Sequence, residues 1–161
     1  MIRIAVLEKP AWNTSEILRY ARVRGQDEAV EGLMQECIAE AEPVLSYKVC
    51  YCVEDIIRDD EELRFGNIRT GSKIVKKAMS GCDRVLVFAA TVGTPFDRLI
   101  AKFCAVSPSK ALLFQAIGAE RVEALCDAFC KQFAADEQII LRPRISPGYG
   151  DIDLSMQKDV F

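Results

Sequence analysis

The sequence predicts an α+β or irregular α/β fold, and three observations carry that expectation. Long apolar stripes at helical spacing dominate the chain. Only three runs look like strands, too few for a regular βαβ ladder. At 161 residues the chain is one domain's worth, able to bury roughly 70% of its unfolded surface without a staple.

The elements follow in order. Ser15 to Val23 reads as a short helix. From Gln26 a longer one carries Ala29, Val30, Leu33, Met34, Cys37, Ile38 and Ala41 at helical spacing, acidic residues on its other face, and Pro43 beyond its end. "VLSYKVCYCVEDI" alternates and predicts a strand, with Tyr47, Val49, Tyr51 and Val53 on the core side and Cys50 and Cys52 opposite. Thr70 is placed to cap a helix closed by Gly81. "RVLVFAATVG" is continuously apolar, the pattern of a strand buried on both faces.

Pro95 then sits where a first helical turn accepts it, and Phe96, Leu99, Ile100 and Phe103 form the stripe of that helix. A long helix is expected from about Pro108, eased at Gly118, with Val122, Leu125, Cys126, Phe129 and Phe133 on one face. "QIILRPRI" predicts a strand that Pro143 confines to an edge or an end. "DLSMQKDVF" begins to look helical, and an ending on Val160 and Phe161 predicts that a single domain over 1–161 is truncated at its C-terminus.

Composition narrows the chemistry. With 21 basic against 24 acidic residues, net charge −3, phosphate-backbone binding along nucleic acid is not the expected task. No stretch has the length of a membrane span or the pattern of a signal peptide, so a cytoplasmic protein is expected. Seven cysteines, an odd number, read as free and mostly buried thiols. The absence of histidine removes Ser-His-Asp and Cys-His catalysis and His-ligated metal from this chain.

Four features were candidates for a site. "GNIRTGSK" approaches a phosphate-binding loop, but Ser precedes Lys where the loop needs the reverse, so an ordinary turn and helix start is the better reading. Cys50, Cys52, Cys126 and Cys130 lack the Cys-x-x-Cys knuckle of a zinc or iron–sulfur site, and no metal is assigned. Glu123 and Asp127 share a helix face, and on spacing alone a solvated surface is the better reading. "RISPGYGD" concentrates committed residues. Pro147 fixes one dihedral, Gly148 and Gly150 permit positive φ, Tyr149 offers a ring and hydroxyl, and Arg144 is a fork suited to a carboxylate. Read alone, it is a turn or a ligand loop.

At Arg144-Ile145-Ser146-Pro147-Gly148-Tyr149 the sequence resembles the activation domain of cobalamin-dependent methionine synthase, in its short free-standing bacterial form. "LVFAATVGTPFDRLIAKF" and "AIGAERVEALCDAFC" resemble that family's strand, Thr-x-Gly turn and helix, and its Glu-bearing helix. The resemblance covers the second half of the chain, and "EILRYARVRG" more loosely near the start.

It implies an α+β fold with a central twisted, largely antiparallel sheet and packed helices. It also implies S-adenosylmethionine held in a shallow groove by Arg144, Ser146, Gly148, Tyr149 and Glu123. No residue of the chain is implied as catalytic. The domain presents the methyl donor to cobalamin carried by a partner, a methionine synthase or another corrinoid protein, with a flavodoxin-like electron donor. The chain departs from the family in lacking its Asp-Trp-x-Pro segment and the later Tyr-bearing stretch. A non-catalytic module docking on a corrinoid protein, and a thiol-metal protein, are the alternative readings.

Overall fold

A computed structural model describes residues 1–25, 27–59 and 61–160. Two compact units divide the chain. Met1–Ala5, Cys50–Ala89 and the segment from Ala134 onward make up the first, and Val6–Val49 with Ala90–Phe133 the second.

Strands β1 (Arg3–Val6), β2 (Lys48–Asp55) and β6 (Arg84–Thr91) form one sheet in the order β1-β2-β6. At one end of the β2/β6 pair Ser46 N donates to Val92 O at 2.9 Å, and at the other Ile56 N donates to Asp83 O at 2.9 Å. Numbers rising on one strand against numbers falling on the other mean that the two run antiparallel.

The first unit also holds a small antiparallel sheet of β3 (Ile57–Arg58), β4 (Leu63–Phe65) and β5 (Ile68–Thr70). Phe65 pairs with Ile68 across a two-residue turn in which Gly66 takes φ +55°, a conformation that favours glycine. Helix α3 (Lys73–Ala78) follows. The two sides of the hairpin and the helix meet in a core of Ile56, Leu63, Phe65, Ile68, Val75, Met79 and Ile152. Short strands of two and three residues are held by this burial, since so few ladder bonds could not hold them alone.

The second unit is helical. Helix α1 (Thr14–Tyr20) is capped by Asn13, whose Oδ1 accepts from Glu16 N at 3.2 Å. Helix α2 (Glu28–Ala41) is capped by Asp27, whose Oδ1 accepts from Ala29 N at 3.0 Å and Val30 N at 3.3 Å. Its Met34, Cys37, Ile38 and Ala41 are buried, and a short 3-10 turn closes it at Glu42–Val44. Helix α4 (Thr94–Val106) starts after Gly93, with Pro95 in its first turn. Helix α5 spans Pro108–Asp136. Phe96 of α4 packs edge-on to Phe114 of α5 with ring centroids 6.3 Å apart.

Several expectations need correction. Helix α5 runs unbroken through Gly118, where a Cβ would lie 2.9 Å from Phe96 Cε1, so glycine there admits a neighbouring ring. Ser72, not Thr70, caps α3, because Thr70 ends β5 and its hydroxyl accepts from Ser72 N at 3.1 Å. Strand β6 is half-buried along Val85–Ala90, as befits the edge of a three-stranded sheet rather than its centre.

The stretch 138–145 is not a strand; its apolar residues suit one, but Pro143 removes a donor and Ile140 lies almost fully exposed. Strands β1, β3, β4 and β5 were not expected at all. Val53 is partly exposed rather than core. Among the cysteines only Cys37 and Cys126 are buried, while Cys50 and Cys104 are exposed. The C-terminal helical turn is present, as a 3-10 turn at Leu154–Met156 leading into α6 (Gln157–Val160). The start expected at Gln26 and the final Phe161 lie outside the described residues.

Candidate functional site

Arg144, Ser146, Gly148 and Tyr149 lie together on one exposed loop of the first unit. The loop's conformation follows from its sequence. Tyr149 N donates to Ser146 O at 3.2 Å and Ile152 N to Tyr149 O at 3.1 Å, two successive tight turns. Gly148 N closes the pair onto Ile152 O at 2.9 Å. These turns need positive φ at Gly148 (+87°) and Gly150 (+59°), and at Gly150 a Cβ would sit 2.1 Å from Ile74 Cδ1. Ile152 is buried in the core, and Ile145 packs against that core from the other end of the turn. Between these two apolar anchors, Ser146, Gly148 and Tyr149 face outward, Tyr149 being 64% exposed.

The loop is joined to α3 by polar contacts as well. The carboxylate of Asp151 accepts from Ser72 Oγ at 2.5 Å, from Lys73 N at 2.7 Å and from Ile74 N at 3.3 Å. Ser72 Oγ in turn accepts from Val75 N at 3.1 Å. These donors, the Ser72 hydroxyl first, hold the Asp151 carboxyl below the usual aspartate range. At the other end of the helix Arg142 Nη1 donates to Ala78 O at 3.2 Å, and Arg58 donates to Met79 O and Cys82 O. The end of the "GNIRTGSK" run therefore gives the Ser72 hydroxyl and the Lys73 amide to an internal carboxylate. Asp151 closes the "RISPGYGD" run, and its partners lie about eighty residues earlier in the chain, beyond the reach of any spacing rule.

Glu123, the fifth expected residue, lies in the second unit on the exposed face of α5, with Asp127 one turn on. One turn before it, the same helix carries a buried ion pair that the sequence reading passed over. Arg121 is fully buried and Glu120 is 3% exposed. The guanidinium donates twice to the Glu120 carboxylate at 2.5 Å, and also to Pro10 O at 2.8 Å and Ala11 O at 2.7 Å. Glu120 Oε1 accepts from Asn13 N at 3.1 Å, and Arg121 Cζ lies 3.9 Å from the centre of the Trp12 ring.

Burial alone would weaken the charged form of Arg121, but the Glu120 carboxylate and the Tyr47 side chain together outweigh it, and the guanidinium is held more firmly protonated than usual. The pair pins Pro10–Asn13, the segment that leads into α1, against α5. A signal for it existed: Arg121 stands at helical spacing between Ile117 and Leu125, in the buried stripe.

No family model matches the chain, and no curated protein does. A solved structure matches over the whole of the chain: the crystal structure of the MetH reactivation domain bound to AdoHcy, with a TM-score of 0.55 and 12% identity. The chain has the fold of the MetH reactivation domain. It spans 62% of the length of that solved chain. The expected α+β class is present, with the strands divided between two three-stranded sheets.

Among the described residues no group of three or more Cys, Asp or Glu side chains is arranged to hold a metal ion. Burial pushes the Cys37 thiol up to about 11, and burial together with a hydrogen bond to Glu54 raises that of Cys52, so neither is poised as a thiolate. Among the described residues no helix is long and apolar enough to cross a membrane.

Proposed function

We propose that this chain binds S-adenosylmethionine at the loop Arg144–Tyr149 and serves as the donor-presenting component in reductive reactivation of a separate cobalamin-dependent methionine synthase. The observation that carries the reading is the fold it shares with a domain solved with AdoHcy, combined with an outward-facing loop whose residues suit that class of ligand.

Each side chain has a task. Arg144 forms charge-assisted bonds to the methionyl carboxylate. Tyr149 offers its exposed ring to the adenine, and Ser146 its hydroxyl to the ribose. Because Gly148 N–H and Tyr149 N–H are spent inside the turn, the backbone contributes through carbonyl oxygens, which accept from the adenine amino group and the ribose hydroxyls.

The donor supplies the methyl group and the corrinoid partner accepts it, so the chain's task is positioning and no general base is required. A chain with no histidine cannot provide an imidazole ligand to cobalamin, which therefore arrives on the partner, with electrons from a flavodoxin-like protein. Calorimetric titration with S-adenosylmethionine tests the reading. Binding in the sub-millimolar range that is lost in Arg144→Ala supports it. Saturating heat that is the same in both proteins, or no heat from the wild type, defeats it.

A further inference from the structure

We propose that Asp151 and Arg142 are positioning residues that strap the donor loop along α3, each side chain fastened to one end of that helix. The inference rests on the reading of 144–149 as the donor loop.

The contacts are complementary in charge to the helix they use. Asp151, an anion, takes the Lys73 and Ile74 amides and the Ser72 hydroxyl at the N-terminal end. Arg142, a cation, takes the Ala78 carbonyl at the C-terminal end. The six residues of α3 span roughly 9 Å. The eight residues 143–150 between the anchors could reach about 27 Å if extended. The slack is taken up by the double turn at Ser146–Ile152, and Ile145 and Ile152 hold it to the core. Arg144, Ser146 and Tyr149 are thereby presented by a closed strap rather than by a free surface loop, and the ordering that a ligand would otherwise have to impose is already in place.

This also accounts for the near phosphate loop. The Lys73 and Ile74 amides, at the end of that run and just past it, are the fastening point for Asp151.

The test uses the full chain in four forms: wild type, Asp151→Asn, Arg142→Ala and Arg142→Lys. Amide exchange over 143–150 is followed by mass spectrometry without ligand, and S-adenosylmethionine affinity by calorimetry. Asp151→Asn and Arg142→Ala are expected to speed exchange in 143–150 and to weaken the donor about tenfold. Arg142→Lys, which keeps a donor for Ala78 O, is expected to recover most of both. Arg142 is exposed, so its variants remain informative even where Asp151→Asn folds poorly. Wild-type affinity in Arg142→Ala, or faster exchange with donor affinity unchanged, overturns the strap as a positioning device while leaving donor binding standing. A wild type that takes up no donor fails in its own arm and overturns both readings.

Discussion

Replacing Arg121 by methionine removes a group on which a whole segment depends, and the cost can be worked from its contacts. Arg121 is fully buried and makes two bonds to Glu120 and one each to Pro10 O and Ala11 O. Methionine keeps most of the volume, so little of the loss is a cavity. What remains is a nearly buried Glu120 carboxylate without its counter-ion, a situation that costs about 3–5 kcal/mol. Two backbone carbonyls also lose their donors, at about 1 kcal/mol each where water cannot replace them. Against a total stability of roughly 5–15 kcal/mol, this is a large fraction.

At this chain length each kcal/mol lowers Tm by about 2–4 °C, so a loss of about 3–7 kcal/mol means an expected fall of about 6–28 °C. Urea and thermal unfolding followed by circular dichroism measure it. The double variant Glu120→Leu with Arg121→Met should recover most of the loss, because removing both charges removes the unpaired one. An Arg121→Met protein within 1 kcal/mol of wild type, or a double variant worse than the single, would refute the reasoning.

Other outcomes follow from the same geometry. Asp151 has a folded-state pKa below its unfolded value, so its contribution to stability is complete above the unfolded value of about 3.9 and is lost as pH falls through the lower folded value. The gap in urea midpoint between wild type and Asp151→Asn should be constant from pH 7 to about 5 and shrink below about 4. Gly150→Ala should destabilise by about 1–2 kcal/mol in urea unfolding, through positive φ and the Ile74 contact, and adding Ile74→Ala should relieve only the contact part. Iodoacetamide labelling read by mass spectrometry should modify Cys50 and Cys104 first in the native protein, and Cys37 and Cys126 only on unfolding. Equal rates at Cys37 and Cys50 would contradict the burial described here.

The helices were legible because their apolar residues repeat every three or four positions over ten residues or more, as in Met34, Cys37, Ile38 and Ala41. The hairpin strands were not, because Ile57–Arg58, Leu63–Phe65 and Ile68–Thr70 are too short for a period-two pattern and half their residues are polar or charged. The opposite error at 138–145 has the same root: apolar and β-branched residues describe a strand's side chains, whereas a strand exists only where a neighbour pairs with it. Of the site, the turn at Ser146–Gly150 was readable from its glycines and proline. The Asp151–Ser72 attachment was not, since nothing in either segment names its distant partner.

The most direct measurement is a crystal structure of the chain grown with S-adenosylhomocysteine. The account predicts ligand density against residues 144–149, with the amino-acid carboxylate paired to Arg144 and the ligand's nucleoside end against Tyr149. Ligand bound elsewhere on the chain, with Arg144 making no contact to it, would contradict the account.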